Sequence, residues 1–349
     1  MIVCAGSGGV GKTTVAACLA LEAARRGRRA CVVTIDPARR LADALGLDSL
    51  SNDAHLLDGE WPGELWALML DAKGTFDDLV DRYAGGEAQA EAIKSNSLYR
   101  NLSTALSGTQ EYMAAEKLYA LHQDDRFDVV VVDTPPARDA LDFLEAPARL
   151  TRLLENRIFR LLVLPTRAYL RAVSFGVRAF LRSLSSVVGT EVIDDTVAFF
   201  QAFEGMEEGF RLRAARVAEL LASPATSFLL VTSPRPDSVA EAAWFSRRLA
   251  EAGLSVAAVV ANRVQPRFRP PSSPVLPDPA GVEEPLRSAL VNLAQLESAA
   301  AREDEALEEL AGRSGAPIRR VPLLGVDVHD LGGLALVGEH LTRGVGPFG

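Results

Sequence analysis

Short, mostly apolar runs recur along this chain: Met1 to Ala5, Ala30 to Ile35, Phe127 to Val132, Ser227 to Thr232 and Val256 to Ala261. Runs of this length without polar alternation are the pattern of strands covered on both faces, as in a parallel sheet. Between them the period becomes helical. Thr14 to Arg26 carries alanine and leucine at helical spacing and closes on Arg25, Arg26 and Gly27, which suits a helix C-terminus. Thr109 to His122 places Tyr112, Ala115 and Tyr119 on one face, and Ser238 to Ala252 is a further helix. Residues 283–311 read as a charged helix with leucines at 286, 290, 293, 307 and 310. Strands alternating with helices predict an α/β fold with a doubly wound, mostly parallel sheet.

Two stretches break that alternation. Residues 51–125 are mixed and mostly helical in pattern. In residues 165–223, Tyr169, Val173, Val177, Phe180 and Leu184 form one stripe, and Phe199, Phe203, Met206, Phe210, Ala214, Val217 and Leu221 another. The expected organisation is one large domain over 1–349, with a core from 1–50, 126–164 and 224–349. A helical subdomain is expected from 51–125 and 165–223. The stripes are the ordinary signature of helices packing on each other, with an apolar groove for a hydrophobic client helix as the alternative. Residues 265–280 hold six prolines and read as a loop, since proline cannot donate to a sheet ladder.

The chemistry begins where the first strand meets the first helix. Gly6-Ser7-Gly8-Gly9-Val10-Gly11-Lys12-Thr13 satisfies the phosphate-loop pattern Gly-x4-Gly-Lys-Ser/Thr. The backbone N–H groups of such a turn, here Gly6 to Thr14, cradle phosphates, helped by the positive end of the helix that follows. Lys12 would reach the β- and γ-phosphates, and the Thr13 hydroxyl would complete a Mg²⁺ shell. The strand Phe127 to Val132 ends in Asp133-Thr134-Pro135-Pro136, where a carboxylate would hold Mg²⁺ through water. A nucleoside triphosphate with Mg²⁺ is therefore the expected ligand.

Composition narrows the rest. The 349 residues exceed the usual size of a single core, and 48% apolar content is ample to build one. A net charge of −9 argues against a nucleic-acid partner, which would need a basic face. No apolar run is long enough to span a membrane, and Met1 begins a core strand. A soluble, cytoplasmic protein without a leader is expected. Cys4, Cys18 and Cys31 sit among apolar neighbours and read as buried structural thiols.

The extra glycines of the loop resemble the deviant phosphate loop of the family that includes the arsenite-pump ATPase and the tail-anchored-protein targeting ATPase. Asp36-Pro37-Ala38-Arg39-Arg40 looks like that family's first switch, and Asp133-Thr134-Pro135-Pro136 is similar to its second. The resemblance implies an ATP-binding, ATP-hydrolysing protein in which Asp36 activates the attacking water. It also implies Asn262 and Arg263, with Pro322 and Leu323 of the last strand, around the adenine. The family's signature lysine is Ser7 here, and its zinc clasp and cysteine-rich arsenite site have no counterpart. The implied partner is a second copy, or a lysine-bearing paralogue; a protein client is the partner that the alternative reading of the apolar stripes would add, and the resemblance does not carry that role across. An uncharged Ser7 leaves open a nucleotide-gated dimeric scaffold with negligible turnover, and a small-molecule kinase is the remaining alternative. Arg39, Arg40 and Arg138 lie close enough in sequence to the switches to replace the lost cation.

Overall fold

The computed structural model describes residues 1–36, 38, 40–97, 99, 109–155, 198–199, 202, 205–268 and 278–342. It divides into two compact units, residues 1–69, 125–140 and 224–349 in the first and 70–124 with 141–223 in the second.

The first unit is built on eight strands: β1 (Ile2–Ala5), β2 (Arg29–Thr34), β3 (His55–Leu57), β4 (Glu64–Met69), β5 (Val129–Asp133), β6 (Ser227–Thr232), β7 (Val256–Val264) and β8 (Ile318–Pro322). They form one sheet in the order β3-β4-β2-β5-β1-β6-β7-β8. All neighbours are parallel except the edge pair β3 and β4. The chain runs outward from β1 through β2 to the edge strand β3, steps back to β4, returns to insert β5 between β2 and β1, then continues on the other side with β6. The carboxyl end of β1 is thus a point where strand order reverses, and ligands meet such sheets there.

Helix α1 (Lys12–Arg25) follows β1 and packs Val15, Ala16, Cys18, Leu21 and Ala24 into a core shared with Val32, Leu65, Val131, Val231 and Leu334. Small residues on α1 let its backbone lie close to the sheet. Cys4, Cys18 and Cys31 are all fully buried, and burial pushes the thiols of Cys4 and Cys18 far above their ordinary range, where they are unreactive.

Strands β3 and β4 are where the structure departs from the helical reading of residues 51–125. The stretch Glu64 to Met69 carries no decisive period of its own, with apolar residues at both odd and even positions. It becomes a strand because the outer edge of β2 is open to it. Six consecutive register pairs join them, from Arg29↔Glu64 to Thr34↔Met69. The boundary of the first unit therefore falls at Met69 rather than near residue 50. Elsewhere the element ends lie within a few residues of the expected ones, as helix and strand termini do.

The second unit gathers the helices Ala72–Tyr83, Glu87–Lys94, Thr109–His122 and Glu207–Ala222. Of the second apolar stripe, Phe199, Met206, Phe210 and Ala214 are buried against Phe76, Val80, Ile93, Tyr99 and Met113. Val217 and Leu221 are buried too. These residues serve as packing. Phe203 and the whole first stripe, Tyr169 to Leu184, lie outside the described residues. Inside this unit Arg213 and Glu116 form a buried ion pair at 2.5 Å, with the guanidinium 4.0 Å from the ring of Tyr119. Among the described residues no helix is long and apolar enough to cross a membrane.

Candidate functional site

The loop after β1 is shaped by backbone constraints that only glycine meets. Gly9 and Gly11 take left-handed φ values of 76° and 94°. A β-carbon at Gly6 would stand 2.0 Å from the Val231 carbonyl oxygen, and one at Gly11 would stand 2.3 Å from Asn262 Nδ2. Gly8 and Gly9, by contrast, face open space. The loop is thus fastened to β6 and β7 at its two ends and exposes bare backbone in the middle.

Lys12 is buried and its Nζ donates to the Ser7 carbonyl at 2.9 Å, folding the side chain back over the loop. Burial lowers its pKa, and the carboxylates of Asp133 and Asp36 work against that shift. Thr13 Oγ1 donates to Asp133 Oδ2 at 2.8 Å, so residues 120 positions apart meet at the head of α1. Asp133 is 1% exposed, and its second oxygen, Oδ1, has no hydrogen-bond partner among the described residues. Burial raises its pKa to about 6, against the hydroxyl bonds from Thr13 and Thr34 and the charge of Lys12. A buried carboxylate with an orphaned oxygen beside a threonine hydroxyl is a donor set that suits a hard divalent cation with its waters. The residues present therefore fit Mg²⁺.

Asp36 stands just past the end of β2. Its Oδ1 accepts from the Ala38 amide at 3.0 Å, a local turn, and its Oδ2 lies 3.6 Å from the Arg40 guanidinium. Arg39 and the side chain of Arg138 lie outside the described residues. Thr34, the last residue of β2, is a member of the site that sequence reasoning missed. Its hydroxyl donates to Asp133 Oδ2 at 3.0 Å and accepts from the Asp36 amide at 3.2 Å. The available signal was a polar residue at the end of an apolar strand, one step before Ile35 and Asp36.

A cleft of about 330 Å³ opens between these elements, lined by Gly9, Lys12, Thr13, Asp36, Arg40 and Arg263 among others. Val328 and His329, from the segment after β8, also line it and were not singled out in the sequence. Ser7, Gly8 and Gly9 border a second cavity of about 300 Å³ on the other flank of the loop. The Ser7 hydroxyl is buried without a hydrogen-bond partner among the described residues.

The residues expected around adenine lie on neighbouring strands, with Pro322 in register with Val264 and the Leu323 amide donating to the Val264 carbonyl at 2.8 Å. Asn262 is buried, donates through Nδ2 to the Val10 carbonyl at 2.8 Å and accepts at Oδ1 from the Arg263 amide at 3.0 Å. One N–H and one lone pair of its side chain remain for a base edge. Arg263 is turned away from that role, with Nη1 donating to the Gly9 carbonyl at 3.3 Å. Pro322 closes β8, and Leu323 beyond it is 52% exposed. Neither borders the two cavities.

A family model described as anion-transporting ATPase matches residues 1–269. Among curated proteins, the chain is 31% identical over 153 residues to "ATPase get3" of Aspergillus terreus and 30% identical over 149 residues to "ATPase GET3" of Chaetomium globosum. It is 29% identical over 151 residues to "ATPase GET3" of Podospora anserina. The matched stretch covers 43% of this chain in each case and 43 to 44% of each relative.

Proposed function

Since this chain belongs to the anion-transporting ATPase family, we propose that it binds ATP with Mg²⁺ and hydrolyses it, and that hydrolysis drives a rearrangement of the segments after β2 and β5. The observation that carries the reading is the contact of Thr13 Oγ1 with Asp133 Oδ2 at 2.8 Å, with the buried Asp133 Oδ1 left without a hydrogen-bond partner among the described residues.

In this reading the loop amides of Gly6 to Thr14 bind phosphate oxygens, and Lys12 leaves the Ser7 carbonyl to meet the β- and γ-phosphates. Thr13 and Asp133 hold the cation, Asp133 through water. Bound there, Mg²⁺ would neutralise charge on the phosphates. Asp36 orients a water for in-line attack and takes its proton, for which an ionised carboxylate at the cleft edge is suited. Arg40, 3.6 Å from Asp36 Oδ2, lies beside that carboxylate at the cleft edge. Asn262, Pro322 and Leu323 form the base end.

The partner proposal is a second copy or a lysine-bearing paralogue, with a hydrophobic protein as client. One observation favours the reading of a nucleotide-gated scaffold with negligible turnover: position 7 offers only a buried, unpaired hydroxyl where charge would speed phosphoryl transfer. Phosphate release by the wild-type chain, Asp36→Asn and Lys12→Ala, with ATP affinity measured in parallel, decides between them. Turnover lost in Asp36→Asn with ATP still bound supports the hydrolase. Tight ATP binding with no wild-type turnover supports the scaffold, and absence of ATP binding overturns both.

A further inference from the structure

Strand β7 holds its register with β8 as far as Ala261↔Arg320 and resumes it at Val264↔Pro322, so Asn262 and Arg263 together face Val321 alone. Two residues opposite one make a bulge, a rare feature in a parallel pair and one that re-aims side chains next to functional sites. At this bulge Arg263 takes φ +59°, the one positive φ of a non-glycine residue among the described residues. A side chain resists that conformation, which glycine adopts freely. The strain is held by the neighbour, because Asn262 Oδ1 accepts the Arg263 amide while Asn262 Nδ2 grips the Val10 carbonyl.

The outcome of this arrangement is where the guanidinium goes. It rests on the Gly9 carbonyl at 3.3 Å and borders both cavities that flank the loop. Arg29, Arg149, Arg235 and Arg267 each pair with a carboxylate at 2.9 Å or less. No carboxylate pairs with Arg263 among the described residues, and one bond to Gly9 leaves most of its five N–H donors unspent. Gly8 and Gly9 expose bare backbone beside it. Within the loop itself Lys12 is the lone cation.

We propose that Arg263 is a phosphate-contacting residue: the bulge and the Asn262 amide hold its guanidinium beside Gly9, and its remaining N–H groups bind phosphate oxygens of the nucleotide. This rests on the reading of the cleft as a nucleotide site. It assigns Arg263 to the phosphates, not to the base, and to the same chain as the loop it serves.

The test is calorimetric titration of the full chain with ATP and Mg²⁺ for wild type, Arg263→Ala, Arg263→Gly and Arg263→Lys, with the thermal midpoint of each measured without nucleotide. Loss of a charged hydrogen-bonding group predicts ATP affinity weakened about 10- to 100-fold in both the alanine and glycine variants. Lysine should fall between these and wild type, since an ammonium keeps the charge but not the planar fork. The glycine variant accepts φ +59° without strain, so its thermal midpoint should not fall. Wild-type ATP affinity in either truncation overturns the proposal. So does a loss in the alanine variant that glycine restores, because the backbone and not the cation would then be responsible. A wild-type chain that binds no ATP overturns the nucleotide reading itself, a distinct result from wild-type binding that the variants share.

Discussion

Thr34 and Asp133 are register partners on adjacent parallel strands, and the threonine hydroxyl donates to the buried carboxylate at 3.0 Å while accepting the Asp36 amide at 3.2 Å. One hydroxyl thus ties the proposed metal carboxylate to the proposed water-activating segment. Thr34→Val keeps the shape and removes both bonds. We expect a stability loss of about 1–3 kcal/mol by urea denaturation, the cost of losing one hydrogen bond to a buried carboxylate, which keeps its bond from Thr13, and of leaving the Asp36 amide without this acceptor. Phosphate release should fall with it by roughly tenfold, and unchanged turnover would show that the link is not used.

Asp133 titrates near pH 6 because burial disfavours its charge. Its folded pKa is raised above the unfolded value of about 3.9. The proton is therefore bound more tightly in the folded chain, and the sign follows: this group favours folding below about pH 4, and the advantage is lost as pH rises through 6. Without metal, wild-type stability should decline between pH 4 and pH 7 relative to Asp133→Asn, by on the order of 2–3 kcal/mol. Parallel stability profiles for the two chains would contradict this.

The buried pair Arg213 and Glu116 should be costly to break and cheap to replace. Removing one partner leaves an uncompensated charge, so Arg213→Ala should lose about 3–5 kcal/mol. The double change Arg213→Met with Glu116→Leu should be close to neutral. Because the chain has two compact units, denaturation is best followed by a probe within the second one.

Asn262→Asp would test the amide that fastens the loop. An aspartate oxygen in place of Nδ2 would face the Val10 carbonyl and repel it, so ATP affinity should fall further than in Asn262→Ala. Equal affinity in the two variants would mean that Val10 does not depend on this contact.

Much of the site could be read from the chain because its parts are local. A glycine pattern between an apolar run and a helical period marks the phosphate loop. Aspartates at the ends of two strands mark its companions in any parallel sheet, since all carboxyl ends lie on one side. Arg263 and Thr34 carried no such mark. Arg263 was expected near the base through the family resemblance, and its contact with Gly9 follows from a bulge in β7 that no local pattern announces. Thr34 reads as one more residue of an apolar strand until its register with β5 sets it against Asp133.

The sequence by itself determined that a parallel α/β sheet presents Asp36 and Asp133 at the ends of its strands and Lys12 and Thr13 at the head of the first helix, because hydrophobic period and turn chemistry act over a few residues. Only the tertiary structure decided that Glu64 to Met69 joins the sheet, that Thr34 bridges two carboxylate segments and that Arg263 leans on the loop. Those outcomes depend on which strand edges meet and in what register, a matter settled between residues tens to hundreds of positions apart, where no local pattern reaches.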